Sequence, residues 1–435
     1  MHCQTVSGKT EVVKRKKYVY SKGSPKTSSA KKTNSTLKLK PGKCTKAELE
    51  KENEDETNSM NTTTSASTSK TEPKAGSKSG PKTGAELGAG PGAGTEHATE
   101  SGTEHATEAA YKIDSHTQKL VDEIKQLSKK RNAVILAHNY QIPIIQDIAD
   151  FVGDSLGLSQ QAAKTDAETI VFCGVHFMAE TAAILCPTKR VLIPDLEAGC
   201  SLAESIDLAG LVEWKAEHPN AVVVSYVNTT AEIKALSDYC CTSGNALKIV
   251  QSIPEDKEIL FLPDQFLGSW VQKMTGRKNM HIWMGECHVH AAVHPSKIDE
   301  KMKEHPDAEL LIHPECGCLT PYLDRVARNA SDSKDGAVKD VLKVASTEGM
   351  LKLATTSSAQ KFVVATEVGI LHRLKKENPE KEFLPISSEM SCQFMKMITL
   401  EKLHRSLVED VFHVTVPEET ASRARLAIER MISIF

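Results

Sequence analysis

IVFCGVHFMAETAAIL (170–185), running on to AGCSLA (198–203), sets out an apolar strand, a polar loop, a helix and then a lone cysteine. The same layout returns as ILFLPDQFLGSWVQKM (259–274) with GECHVH (285–290), and again as FVVATEVGILHRLKK (362–376) with EMSCQFM (389–395). Aligned on Phe177, Phe266 and Val368, the cysteines Cys200, Cys287 and Cys392 follow after 23, 21 and 24 residues. A thiol at a matched position in each repeat points to three thiolates meeting on a pseudo-threefold axis. Such a set leaves one coordination position open, as in an iron–sulfur cluster with an exposed iron or a Cys3 zinc site.

Upstream of each of these stretches lies another apolar strand whose end turns polar: AVILAHNY (133–140), AVVVSYVN (221–228) and AELLIHPE (308–315). Runs apolar on both faces suit a parallel sheet covered by helices. A hydroxyl residue then opens each helical pattern, at Ser155, at Ser243 and at Ser346 with Thr347, and hydroxyls are good helix N-caps. A short third strand (RVLIPD, HIWMG, EFLPIS) leads to each cysteine. Strands alternating with helices through right-handed crossovers give a three-layer αβα unit with a short parallel sheet. The expected fold is α/β, a pseudo-threefold triplication of that unit with the active site at its centre. The expected repeats are 111–212, 213–298 and 299–435, the last carrying a polar surface excursion near NASDSKDGAVKD (329–340).

Not all 435 residues suit a core. Residues 1–110 are dominated by Lys, Ser, Thr, Gly and Glu, with GTEHATE occurring twice (94–100 and 102–108). Such composition buries too little surface to offset its ordering entropy, so a disordered low-complexity tail is expected. Its first 46 residues hold thirteen Lys or Arg against one Glu. A solvated tail is the plain reading of that charge; nucleic-acid or membrane association and a transit peptide are the alternatives, and neither nucleic acid nor membrane is expected as a partner. With no apolar run near 18 residues and no secretory core, a cytoplasmic location is expected. Eleven cysteines without any zinc-finger C-x2-C spacing exclude a sequence-local metal site, so a metal centre has to be assembled from distant residues.

Each candidate ligand falls between a strand end and a helix start, where a helix dipole lowers a thiol pKa. Cys173, Cys186, Cys240 and Cys241 lack that symmetry and read as small buried hydrophobes, while the Cys316-x-Cys318 pair is a candidate for an auxiliary redox role. His138 with Tyr140, Tyr226 with Asn228, and His313 with Glu315 occupy one strand-end slot in the three repeats. Hydrogen-bonding groups converging in this way suit a small polyanionic substrate with proton transfers to manage. Ser155, Ser243 and Thr347 would add hydroxyl and backbone donors for phosphate or carboxylate, or simply cap their helices.

At every motif, and in order, the chain from about residue 115 onward resembles the quinolinate synthase family. The likeness is carried by AHNYQIPIIQDIADFVGDSLGLSQQA, GVHFMAETAAIL, PDLEAGCSLAES, SYVNTTAEIKALSD, CTSGNA, WMGECHVH, HPEC, STEGM and CQFMK. The resemblance implies a triplicated α/β fold around a [4Fe–4S] cluster held by Cys200, Cys287 and Cys392. It implies a carbon–carbon bond-forming transferase, with dehydration, that condenses iminoaspartate with dihydroxyacetone phosphate to quinolinate for NAD biosynthesis, the open iron acting as a Lewis acid. His138, Ser155, Tyr226, Asn228, Ser243, His290, His313, Glu315 and Thr347 would bind substrate. Glu315 is the expected base, relayed by His313 and Tyr140. A functional link to L-aspartate oxidase or aspartate dehydrogenase, which would supply iminoaspartate, is also implied. The long N-terminal tail lies outside the family pattern, and SSEMSCQF (387–394) has only Cys392 where some members carry C-x2-C-x2-C. Two other readings stay open: an aconitase-like hydro-lyase acting on a hydroxy acid, and a non-catalytic Fe–S or zinc sensor.

Overall fold

A computed structural model describes residues 114–324 and 342–434. The expected tail at 1–110 and the excursion at 329–340 both lie outside the described residues.

Three four-stranded sheets, every pairing in them parallel, share a single strand order. The first contains β1 (Ala133–His138), β2 (Phe151–Gly153), β3 (Thr169–Cys173) and β4 (Arg190–Leu192), in the order β2-β1-β3-β4. In the second, β5 (Val222–Tyr226), β6 (Tyr239–Cys241), β7 (Ile259–Leu262) and β8 (Met280–Ile282) run β6-β5-β7-β8. The third repeats this with β9 (Glu309–Ile312), β10 (Leu342–Val344), β11 (Lys361–Ala365) and β12 (Glu382–Pro385) as β10-β9-β11-β12. The fold is therefore the triplicated α/β unit expected from the sequence. Every residue of TIVFC in β3 and of ILFL in β7 is buried, as strands covered on both faces must be.

Three edge strands, β2, β6 and β10, were not anticipated. Each has only three residues (FVG, YCC, LKV), too few for a period of two to be distinguished from a loop. Each nevertheless pairs with the first strand of its repeat and so fixes where the next helix begins.

Capping differs from expectation in the first two repeats and follows it in the third. Asp154, not Ser155, caps Ser155–Lys164, its carboxylate accepting from Gly157 N at 2.8 Å. Ser346 caps Thr347–Thr356 by accepting from Gly349 N at 3.3 Å. In the second repeat Asn245 stands at the N-cap of Ala246–Ser252 and Ser243 lies two residues before it. A carboxylate or hydroxyl at the N-cap satisfies an amide that would otherwise be orphaned. Asp154 and Ser346 do this in the first and third repeats, and Ser243 stands outside the N-cap of the second, so none of the Ser155, Ser243 and Thr347 hydroxyls caps its helix.

The terminal helices tie the repeats together. Along Glu418–Ser433, Arg425 donates to Ile184 O of the first repeat at 3.0 Å, and Met431 O accepts from Asn245 Nδ2 of the second at 2.9 Å. Helix Ser115–Lys130 lies beside Leu400–Glu409, with His404 Nε2 3.0 Å from Glu123. Among the described residues no helix is long and apolar enough to cross a membrane.

Candidate active site

The first strands β1, β5 and β9 end at one place, where a cavity enclosing about 690 Å³, mouth included, opens between the repeats. Parallel sheets bind ligands at strand C-terminal ends because the chain turns polar there, at the helix starts that follow. All the candidate residues line this cavity. The thiols are Cys200, Cys287 and Cys392; the strand-end pairs are His138 with Tyr140, Tyr226 with Asn228, and His313 with Glu315; Ser155, Ser243, His290 and Thr347 complete the set.

The cysteines occupy equivalent places. Cys287 and Cys392 are the N-caps of the short helices His288–Ala291 and Gln393–Lys396, and Cys200 precedes the turn Ala203–Ser205. Backbone amides of Leu202 and Ala203 favour the Cys200 thiolate, and those of Phe394 and Met395 favour that of Cys392. The expected net lowering of thiol pKa is nonetheless overturned. Burial dominates, pushing Cys200 up to about 12 and raising Cys287 and Cys392 as well. The charge of Cys392 raises Cys200 further, and that of Cys200 raises Cys287. Three thiols that face one cavity and resist ionising alone are the donor set that a metal centre converts to thiolates, since a coordinating thiol is deprotonated by the ion.

Two acidic residues stand beside the cysteine loops. Glu367, two residues past β11, accepts from Cys392 N at 3.0 Å and pairs with Lys396 at 2.9 Å. Asp264, two residues past β7, accepts from Leu267 N at 2.6 Å, and its backbone bridges Gly285, two residues before Cys287. Both are fully buried. Sequence reading missed them, although each stands two residues past the end of its strand.

The strand-end groups form one connected network. Glu315 accepts a hydrogen bond from the Tyr226 hydroxyl, lies 3.2 Å from His290 Nδ1 and 3.7 Å from His313 Nδ1, and is 4% exposed. Burial alone would raise its pKa, but His313, His290 and the Tyr226 hydroxyl together hold it below the usual carboxylate range. Burial keeps His138 and His313 neutral, lowering them to about 3 and about 4. His138 Nδ1 accepts from Tyr140 N at 3.2 Å, which leaves its Nε2 as the protonated nitrogen. His313 Nε2 lies 3.1 Å from Ser243 Oγ.

Tyr140 does not touch Glu315, contrary to the expected relay. Its hydroxyl meets Thr366 Oγ1 at 2.7 Å, Thr366 meets His290 Nε2 at 2.9 Å, and only His290 reaches Glu315. The direct neighbour of Glu315 is Tyr226. Asn228 Oδ1 is buried without a hydrogen-bond partner, an acceptor left for a ligand. His288, missed from the sequence, also lines the cavity with its Nδ1 2.7 Å from Ser201 Oγ; its only signal was adjacency to Cys287. Cys316 and Cys318 form a buried disulfide directly after Glu315, outside the cavity lining. Cys173, Cys186, Cys240 and Cys241 are buried in the core.

The model of the family described as Quinolinate synthetase A protein matches residues 122–433. The quinolinate synthase of Pyrobaculum aerophilum is 54% identical over 312 residues, 72% of this chain and 98% of its own length. That of a Thermus thermophilus strain is 54% identical over 317 residues, 73% of this chain and 98% of its own. That of Mycobacterium tuberculosis is 54% identical over 312 residues, covering 72% and 88% respectively. With the triplicated sheets and the converging cysteines, these matches lead to one conclusion: the chain belongs to the quinolinate synthetase A enzyme family.

Proposed function

We propose that this enzyme condenses iminoaspartate with dihydroxyacetone phosphate, yielding quinolinate, phosphate and two waters for NAD biosynthesis, and that Cys200, Cys287 and Cys392 hold a [4Fe–4S] cluster. The observation that carries this reading is the convergence of these thiols, from matched positions in three repeats, on a cavity that also holds Glu315, neutral His138 and His313, and a His290 that its neighbours hold protonated. When bound, the cluster would supply an iron with an open coordination position, a Lewis acid able to polarise a substrate oxygen.

The side chains divide the remaining work. Ser155, Ser243 and Thr347, freed from capping, offer hydroxyls to phosphate and carboxylate oxygens. His138 presents its Nε2–H as a neutral donor, which binds an anion without bringing a proton that must later be removed. Asn228 Oδ1, an orphaned acceptor, suits the imine or amine hydrogen of the nitrogen substrate. Glu315 stays ionised at neutral pH and takes the proton whose loss makes the enediol of the triose. Its proton affinity is too low to store that proton, so the proton passes on to His313 or back through Tyr226 to a leaving oxygen. The buried network around Thr366 keeps bulk water from competing for these transfers.

The cavity is proposed to act in the cytoplasm, with iminoaspartate supplied by an aspartate-oxidising enzyme. A direct test adds both substrates to anaerobically reconstituted protein and follows quinolinate. Formation of quinolinate with stoichiometric phosphate release supports the reading. Full iron occupancy with no quinolinate, together with hydration or dehydration of a hydroxy acid, would favour the hydro-lyase instead.

A further inference from the structure

We propose a second metal site, for a borderline divalent transition ion such as Zn²⁺ or Ni²⁺, formed by His218, Glu258 and His281 in the second repeat. One ligand atom from each lies within 4.8 Å of the others. Glu258 Oε1 is 2.9 Å from His218 Nδ1 and 2.7 Å from His281 Nε2, so two ring nitrogens already point at one carboxylate oxygen. Two imidazoles and a carboxylate form a donor set that suits zinc, nickel or copper ions, whereas Mg²⁺ and Ca²⁺ favour all-oxygen sites.

The three residues come from separate elements, and each is fixed by the fold. His218 is the C-cap of the helix Leu208–Glu217. Glu258 directly precedes β7, and its carbonyl accepts from Val222 N at 2.8 Å at the start of β5. His281 is the middle residue of β8 and pairs with Leu260. Trp214, four residues before His218 on the same helix, stacks on its ring with centroids 4.1 Å apart and planes 8° from parallel, and meets His281 edge-on at 5.6 Å. An indole wall of this kind holds both imidazoles in orientation before an ion arrives, so less rotamer freedom is lost on binding. Side-chain exposures between 28% and 46% leave room for water to complete the coordination shell.

The site sits at the start of β5 and β7, whereas the cysteine-lined cavity is at the strand C-terminal ends. It is therefore independent of the chemistry proposed there. A bound ion would join the end of one helix to two strands of the same sheet, and so would stabilise the second repeat in proportion to its occupancy.

The test uses the tag-free full chain, purified anaerobically with its iron, and titrates it with Ni²⁺ and separately with Zn²⁺ by calorimetry. Glu258→Gln and His281→Gln are compared with wild type under identical loading, so binding by thiols is common to all and cancels. Wild type should take up one saturable equivalent more than His281→Gln, and Glu258→Gln should weaken that equivalent at least about tenfold, since even outer-shell partners of a metal ligand are worth ~10–100-fold. Ni²⁺ should quench part of the tryptophan emission at the same stoichiometry, and Trp214→Phe should remove that quench. Identical isotherms in wild type and both variants would overturn the site, as would a quench that survives in Trp214→Phe. A hydrogen-bonded His–Glu–His cluster without an ion would then be the correct description.

Discussion

Replacing Glu315 by Gln keeps the side chain's shape and one acceptor oxygen for the Tyr226 hydroxyl but removes both the charge and the ability to take a proton. Glu315 sits 3.2 Å from His290 and 3.7 Å from His313, and is 4% exposed, so bulk water cannot readily replace it as the base. Positioned general bases contribute roughly 10²–10⁴-fold, or about 2.7–5.4 kcal/mol of barrier. kcat for quinolinate formation should therefore fall by at least about a hundredfold, with KM for both substrates changing far less. Breaking a buried ion pair costs about 3–5 kcal/mol when the partner keeps its charge. His290 can shed its proton, which keeps the loss of stability below that range. The assay is an initial-rate measurement on anaerobic protein matched to wild type for iron content and thermal midpoint. A kcat within about threefold of wild type, where the lost group should supply far more, would remove Glu315 as the base and leave it a structural anchor for the histidines.

Other substitutions probe different parts of the site. Tyr226→Phe deletes a hydrogen bond to a charged group, worth about 1.5–3 kcal/mol. kcat should drop roughly tenfold to a hundredfold, and because Tyr226 helps hold Glu315 low, the acidic limb of the pH–rate profile should move upward; an unmoved limb contradicts this. Gly285→Ala would drive a Cβ into Ser205 Oγ and to 2.5 Å from Pro263 O. The loop leading to Cys287 must then shift, and iron retention should fall while far-UV ellipticity is kept; full iron content would refute the argument. Asp154 is a half-buried acid raised to about 6, chiefly by desolvation. Its folded pKa exceeds its unfolded one, so the stability it gives while protonated is lost as pH rises through the interval between them. Asn caps a helix as well as Asp does, so Asp154→Asn should be more stable than wild type by on the order of 1–2 kcal/mol near pH 8, with a smaller gap near pH 5. A gap independent of pH would show that Asp154 titrates normally.

The parts of this fold that were legible in the sequence are those set by long apolar runs. AVILAH, VVVSY and ELLI end in β1, β5 and β9 close to where their polar residues begin, and that boundary placed His138, Tyr226 and His313 at the cavity. The cysteines were legible because the repeat supplied its own internal alignment. Less was readable where a residue's role depends on a partner far along the chain. Asp264 and Glu367 look like ordinary polar loop residues until the fold sets Asp264 beside Gly285 in the Cys287 loop and brings the Cys392 amide onto Glu367. Thr366 links Tyr140 to His290 across 226 and 76 residues, a connection with no local signature. Capping was misassigned in the first repeat because Asp154 is adjacent to Ser155, and a shift of one residue is below what a capping pattern can distinguish; in the third, Ser346 of the Ser346–Thr347 pair caps as read. The thiol pKa values were misjudged for a related reason, since burial is a property of the assembled cavity and outweighs the amides at the helix starts.

The convergence of Cys200, Cys287 and Cys392 on one inorganic centre is best tested by iron and sulfide analysis with Mössbauer spectroscopy on anaerobically reconstituted wild type and the single Cys→Ala variants. Wild type should hold about four irons per chain, with one iron site distinct from the others and shifted by added substrate, as expected for a cubane with three protein thiolates. Each of Cys200→Ala, Cys287→Ala and Cys392→Ala should lose most of that iron, whereas Cys186→Ala should keep it. Colourless wild-type protein carrying zinc, or undiminished iron in any one of the three variants, would contradict the assignment.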